Sequence, residues 1–162
     1  MTLMNLSSLS KWLKLIIILV GACGSLVYVW VIPSLGQMLV ANYPEFAYCY
    51  QPWLILIWIT SVPCYVVLVF TWKIASNIKK SRTFSIQNAK LLKWVAVLTA
   101  TDSGFFFVMN IVYLFLNMNH PGIVLMSLGI SVVGIAISAV SVILSHLVRK
   151  AADLQEQSDL TI

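Results

Sequence analysis

Long apolar runs, separated by short polar stretches, dominate the pattern along the chain. Four runs carry almost no charge: residues 15–32, 53–72, 91–116 and 122–148. Each is close to or above the length, about 20 residues, that an α-helix needs to cross the hydrocarbon core of a bilayer. An open strand in lipid would leave backbone N–H and C=O groups unpaired. The pattern therefore predicts four transmembrane helices, the first of which ends at Pro33.

The composition removes the alternatives to a membrane protein. Apolar residues make up 60% of the chain and charged residues only 9%, whereas a soluble domain carries about 25% charged residues. So few charges cannot cover the surface of a soluble globule, and six Trp, six Tyr and seven Phe residues exclude disorder. The prediction is an all-α integral membrane protein with one domain over residues 1–162 and a short tail at 149–162.

The cations indicate how the helices are oriented. All ten Lys and Arg residues lie before the first span, between the second span and the start of the third, or after the fourth. Because membrane proteins retain Lys and Arg in cytoplasmic segments, both termini and the middle loop are predicted to be cytoplasmic, and the helices to form an antiparallel bundle. The same rule accounts for the net charge of +5 without direct binding to nucleic acid. The lipid bilayer is the expected partner.

The two loops on the opposite side differ in length and composition. The first, over residues 33–52, is followed directly by a Trp and contains most of a group of aromatic residues: Tyr43, Phe46, Tyr48, Tyr50 and Trp53. Such a group is typical of an interfacial aromatic belt, and a ligand-binding aromatic cluster is the alternative. The second loop, over residues 117–121, is so short that the third and fourth helices must be antiparallel neighbours.

A polar stripe follows the third predicted helix. Its members recur at spacings of three and four residues: Thr99, Asp102, Phe106, Asn110, Tyr113 and Asn117. Asp102 is the only acid within a predicted span, and placing it near mid-membrane costs about 2.5–3.5 kcal/mol. Two interpretations stay open. Thr99, Asp102, Asn110 and Tyr113 form either a hydrated pathway or cavity, in which Asp102 is a proton or cation site, or a hydrogen-bonded seam between helices.

The fourth predicted helix has a face of small residues, again at spacings of three and four: Ser127, Ser131, Gly134, Ser138, Ser141 and Ser145. Small residues let helix backbones approach closely, and Ser hydroxyls can hydrogen-bond across the contact. The simplest arrangement has this face opposite the polar stripe, with Ser138 and Ser141 near the depth of Asp102. A homodimer formed through the small face is the alternative.

The sequence offers little to support catalysis. It contains no H-E-x-x-H, no C-x-x-C and no Gly-rich phosphate loop. An aspartyl dyad needs two facing acids, and the predicted spans contain one. We therefore expect a protein that is not an enzyme and that has neither a cofactor nor a metal site.

The cytoplasmic segments carry opposite charges. The middle loop contains Lys79, Lys80 and Arg82, and Ser85 beyond it is expected to cap the third helix. The tail combines acidic and apolar residues: Asp153, Glu156, Leu160 and Ile162. Anionic lipid can bind the cations, but a purely solvated tail would not need apolar residues. We expect these segments to contact a protein partner or lipid.

Two cytoplasmic stretches resemble those of a known family. FSIQNAKLLK at residues 84–93 and AADLQEQSDLTI at residues 151–162 are similar to motifs of small four-helix bacterial membrane proteins classed as a domain of unknown function. Members of that family are commonly encoded beside a helix-turn-helix regulator. The resemblance implies a multi-pass protein of the bacterial plasma membrane and a helix-turn-helix regulator as a cytoplasmic partner. It implies no catalytic residues.

Together these observations favour a non-enzymatic membrane sensor or regulator that binds a cytoplasmic partner. One alternative is a small dimeric transporter that is coupled to protons through Asp102. Another is an immunity protein that protects its own cell from a toxin.

Overall fold

The computed structural model describes residues 6–79 and 84–159, which are helical except for short connections. Four of its helical segments are long and apolar enough to cross a membrane: Ser7–Asn42, Pro44–Ile78, Ile86–Phe115 and Pro121–Gln157. The predicted all-α fold with four spans is confirmed. All four segments are longer than the spans expected from hydropathy, because the helices continue past the apolar runs.

The first segment does not end at Pro33. Helix α1 (Leu6–Leu26) passes through one π-helical turn (Val27–Val31) into α2 (Ile32–Asn42). Proline lacks an N–H and crowds the preceding turn of an α-helix, whereas the first turn of a helix needs no such donor. Since the widened π turn lets α2 start afresh, Pro33 occupies that first turn and the chain continues in the same segment.

The second segment begins with a 3-10 turn, Pro44–Phe46, and continues as α3 (Ala47–Lys79), which passes through Pro52 and Pro63. Helix α4 (Ile86–Phe115) begins at the predicted cap, where the Ser85 side chain accepts the N–H of Asn88 at 3.2 Å. Helix α5 (Pro121–Asp159) follows a tight turn in which Asn117 adopts a positive φ of 57°.

The helices pack in chain order. Helices α4 and α5 form the most extensive pair, α3 packs against α4 and α1, and α2 packs against α3. The starts of α1 and α4 lie at one end together with the ends of α3 and α5, as shown by the bonds Ser10 Oγ to Ala75 O (2.6 Å) and Asn77 Nδ2 to Asn88 Oδ1 (2.7 Å). We call this the basic end, and the opposite end the aromatic end.

The interior is small and polar, and the exterior is apolar. Buried polar residues among those described are Ser10, Thr60, Asn88, Asn110, Ser127, Ser131, Ser138 and Ser141. Buried apolar ones are Leu56, Ala75, Ala89, Val95, Ala96 and Tyr113. Large apolar side chains instead cover the outside, especially on α1 and α5. This distribution suits a lipid environment, in which close packing and hydrogen bonds hold helices together.

Candidate functional site

Three serine hydroxyls of α5 donate to backbone carbonyls of α4. The pairs are Ser131 to Ser103 (3.1 Å), Ser138 to Ala96 (2.7 Å) and Ser145 to Ala89 (2.7 Å). Both sets of residues recur every seven positions, which keeps one face of each helix against the other along the whole contact. We call this contact the serine seam.

The rest of the small face supports the same contact. A Cβ added at Gly134 would collide with the Ser103 hydroxyl, so glycine leaves the space that this side chain of α4 occupies. Ser127 and Ser141 are buried but bond to carbonyls of their own helix, Val124 and Ile137. Because α4 covers this face within one chain, the structure does not leave it open for the homodimer considered above.

The polar stripe of α4 is divided among several neighbours. Thr99 bonds to the Val95 carbonyl of its own helix. Asn110, fully buried, accepts two hydrogen bonds from the amide nitrogen of Asn119 in the α4–α5 turn: one on its carbonyl (3.0 Å) and one on its side-chain oxygen (3.1 Å).

Tyr113 reaches the other neighbour of α4, helix α3. Its hydroxyl donates to the carbonyl of Pro52 at 2.9 Å. Its ring meets the ring of Trp53 edge-on at 5.4 Å. Asn110 and Tyr113 thus connect α4 to the turn and to α3, respectively, and both contacts are at the aromatic end.

Asp102 does not face α5, contrary to the expectation that Ser138 and Ser141 would lie opposite it. Its Oδ2 accepts a hydrogen bond from the Cys64 thiol of α3 at 3.9 Å. Adjacent residues of a helix point about 100° apart, so when Ser103 meets α5, Asp102 must point toward α3. The face of α4 that meets α5 is the seven-residue series Ala89, Ala96, Ser103, Asn110.

The surroundings of Asp102 form a polar cluster between α1, α3 and α4. The Cys64 thiol also interacts with the Tyr28 hydroxyl in the π turn. Nearby, the Tyr65 hydroxyl lies 2.8 Å from the Ser25 hydroxyl, and the rings of Tyr28 and Tyr65 are 6.4 Å apart. Within residues 6–79 and 84–159, Cys64 is the only side chain that hydrogen-bonds Asp102. No trio of His, Cys, Asp or Glu in these residues is arranged to hold a metal ion.

The predicted contact residues of the basic end are described only in part. Lys80, Arg82, Leu160 and Ile162 lie outside the described residues, as does the side chain of Lys79. Asp153 and Glu156 are exposed on the last turns of α5, and Leu154 between them is 57% exposed. The end of α5 therefore presents an apolar side chain among acids.

A cavity of about 550 Å³ opens at the aromatic end between α2, the 3-10 turn, α3 and the α4–α5 turn. Its walls are mostly aliphatic and aromatic: Ile32, Leu35, Leu39, Val40, Phe46, Tyr50, Trp53, Leu54 and Ile57. Asn117, Asn119 and His120 of the turn line the remaining side. The aromatic cluster of the sequence thus contributes to a concave surface, although the cavity itself has no sequence signature.

Two side chains of α3 hold the wall made by the turn. The Tyr48 hydroxyl donates to the Asn117 carbonyl at 2.8 Å, and the Trp53 indole N–H donates to the Met118 carbonyl at 2.9 Å. On the opposite wall, α2 comes so close to α3 that a Cβ on Gly36 would lie 2.5 Å from the Tyr50 ring. Hydrogen bonds therefore hold the wall made by the turn, and close helix packing holds the wall made by α2.

Fold and sites together define a multi-pass helical membrane protein with a polar interior and a cavity at one end. The chain belongs to the family described as Protein of unknown function (DUF2975), whose model matches residues 34–162, so the predicted family resemblance is confirmed. It is 26% identical over 153 residues to the Uncharacterized membrane protein YoaS of Bacillus subtilis (strain 168), covering 93% of this chain and 96% of the relative. No solved structure matches the chain.

Proposed function

We propose that this membrane protein is a non-enzymatic sensor of the bacterial plasma membrane that relays the state of its aromatic end to a cytoplasmic protein. The observation that carries the proposal is the continuity of α5, which runs from Pro121 to Asp159 without interruption. Its first turn contributes Ile123 to the cavity wall, and its last turns carry the exposed Asp153, Leu154 and Glu156.

The length of α5 supports a role outside the bilayer. At 1.5 Å per residue its 39 residues extend about 58 Å, against about 30 Å for a hydrocarbon core. From the distribution of cations, we expect α5 to leave the membrane on the cytoplasmic side at Arg149 and Lys150. The following turns would then stand in the cytoplasm, and we propose that they bind a small helix-turn-helix regulator, as the family resemblance implies.

Site-specific crosslinking in the native bacterium tests this proposal. A photoreactive amino acid is incorporated at Leu154 or, as a control on the same helix, at the lipid-facing Ile143, which is 58% exposed. We expect the probe at Leu154 to crosslink one soluble DNA-binding protein and the probe at Ile143 to crosslink none. Charge reversal by Asp153→Lys and Glu156→Lys should reduce the product. Crosslinks from Leu154 to lipid alone would contradict the proposal.

Asp102 favours a second candidate, a proton-coupled transporter. Its only hydrogen bond to a side chain among the described residues comes from a thiol, which is a weak donor, so the carboxyl has no strong protein partner there. Reconstituted vesicles with an imposed pH gradient discriminate the two functions. A transporter moves protons with its solute and loses this flux in Asp102→Asn. A sensor shows no Asp102-dependent flux.

A further inference from the structure

We infer that the cavity at the aromatic end binds a small, neutral, lipophilic molecule that carries one hydrogen-bonding group. This inference deepens the proposed sensing function, on which it rests for its biological meaning, by naming the class of molecule sensed. It depends on three properties of the cavity: its size, its lack of charge and the free polar groups of its lining.

The size suits a small molecule. Cavities that bind small ligands have volumes of about 300–1,000 Å³ and walls that are mainly apolar and aromatic, and this one has about 550 Å³ with the walls described above. The rings of Tyr50 and Trp53 and aliphatic side chains of α2 contribute to these walls. Burial of a lipophilic molecule here would remove apolar surface on both partners from water or from the interfacial region.

The absence of charge excludes most ionic ligands. None of the residues that line the cavity is Lys, Arg, Asp or Glu. The sequence has no Lys or Arg between Lys14 and Lys73 or between Lys93 and Arg149, so this end offers no cation to pair with a phosphate or carboxylate. An ion buried without a partner is strongly unfavourable. The cavity therefore favours a neutral molecule over an anionic lipid headgroup.

The cavity also offers polar groups that the protein itself does not fully use. The Asn119 amide is already committed to Asn110 and to the N–H of His120. Nδ1 of His120 accepts the N–H of Gly122 at 3.1 Å, so Nε2 is the ring nitrogen that remains for a ligand. Within the part of the chain that the structure describes, the side chains of Asn117 and Tyr50 make no hydrogen bond. Asn117 and His120 belong to the α4–α5 turn and Tyr50 belongs to α3, and all three residues line the cavity.

A ligand in this position would touch the element that the proposed function uses. The cavity is closed on one side by the α4–α5 turn and by Ile123 in the first turn of α5. Tyr48 and Trp53 hold that turn through hydrogen bonds to its carbonyls. A bound molecule therefore contacts both the turn and the start of the helix whose far end is exposed at the basic end.

Photolabelling of the full chain in phospholipid vesicles tests the inference. The probes are benzophenone, which is neutral, lipophilic and has one carbonyl acceptor, and benzophenone-4-carboxylate, which adds a charge. Adducts are mapped by mass spectrometry, and the labelling of lining residues is divided by that of the lipid-facing part of α5 around Val132, which is 56% exposed. This ratio removes differences in partition into the bilayer.

We expect benzophenone to prefer the lining saturably by about fivefold or more, equivalent to about 1 kcal/mol, and the carboxylate to show no preference. Val40→Trp, which fills the cavity, should abolish the preference, whereas the matched Val132→Trp should leave it unchanged. Leu39→Trp replaces the first variant if that one does not fold. Uniform labelling, an equal preference for the carboxylate, or an equal preference of a phospholipid with a photoreactive acyl chain would overturn the inference.

The outcome is independent of the crosslinking experiment at Leu154. A cavity without ligand preference, combined with a crosslinked cytoplasmic partner, would refute the ligand class and leave the sensor in place. Saturable labelling of the cavity without any partner would refute the sensor and leave the binding site.

Discussion

The two sides of this molecule are held together by different means. At the serine seam, α4 and α5 touch along their length, and three hydroxyls bond to carbonyls across the contact. At the aromatic end of the other side, α2 packs against α3 but leaves about 550 Å³ open toward the α4–α5 turn. One side is packed for rigidity and the other retains space. A sensor needs both, because a ligand site requires room and a relay requires stiffness.

The largest effect should come from overfilling the seam. Gly134→Leu forces a bulky side chain against Ser103 and Thr99, and we expect a loss of about 3 kcal/mol or more in the free energy of unfolding, at the upper end of overpacking effects. Denaturation in mixed micelles measures it. Gly129→Leu is the matched control, since a Cβ there meets nothing within 4 Å. Equal damage at both positions would show that α5 packs through another face.

The second prediction concerns Asp102, on the side of α4 that faces α3. The sequence predicts Ser138 and Ser141 near the depth of this acid, but the structure gives it the thiol of Cys64. Because a charged Asp at mid-membrane costs about 2.5–3.5 kcal/mol, Asp102→Leu should stabilise the protein by about 2 kcal/mol, and Asp102→Asn by less. Destabilisation by Leu would instead indicate bound water or ions at the cluster and favour the transporter.

A smaller effect is expected from single hydroxyls of the seam. Ser138→Ala removes the bond to the Ala96 carbonyl, and interhelical bonds of this kind contribute about 0.6 kcal/mol on average and up to about 1.7. Ser141→Ala is the control, because its hydroxyl bonds within α5 to Ile137. We expect Ser138→Ala to lower the free energy of unfolding by about 1 kcal/mol and Ser141→Ala to change it less. A larger loss for Ser141→Ala than for Ser138→Ala would show that interhelical hydrogen bonds do not stabilise the serine seam.

The smallest effect on stability should follow a large substitution on the open side. Gly36→Leu also creates a collision, with the Tyr50 ring, but that ring lines the open cavity. We expect less than about 1 kcal/mol of destabilisation, within the range of ordinary substitutions, and a lower benzophenone preference, because the cavity is then filled. A loss as large as that of Gly134→Leu would mean that the cavity side is as tightly packed as the seam.

The sequence predicts the parts of this fold that depend on local pattern. Hydropathy alone reveals four spans, and the small face of α5 is visible because Ser and Gly stand out in an apolar helix. The opposing face on α4 is not visible in the sequence, because Ala89 and Ala96 look like any apolar residues. The polar residues around Asp102 indicate the adjacent stripe instead. The predicted end of the first helix at Pro33 is wrong, because the rule that proline ends a helix does not allow for a π turn before it.

The cavity could not be predicted, for a physical reason. It exists where α2 and the α4–α5 turn fail to meet, and a gap between segments about 80 residues apart has no period or motif in the sequence. The aromatic residues are evident in the sequence, but an interfacial belt and a ligand cluster require the same composition. Only the placement of Tyr50 and Trp53 around a common space distinguishes a concave surface from a belt.

The tight turn between α4 and α5 also constrains how the protein is made. Five residues separate Phe115 from Pro121, and a chain of that length reaches at most about 18 Å, less than the thickness of a hydrocarbon core. Once α4 spans the bilayer, α5 cannot stay behind on the side of synthesis. The two helices must therefore enter the membrane as a hairpin, so that the strongly apolar α5 can offset the burial of Asp102 during biogenesis.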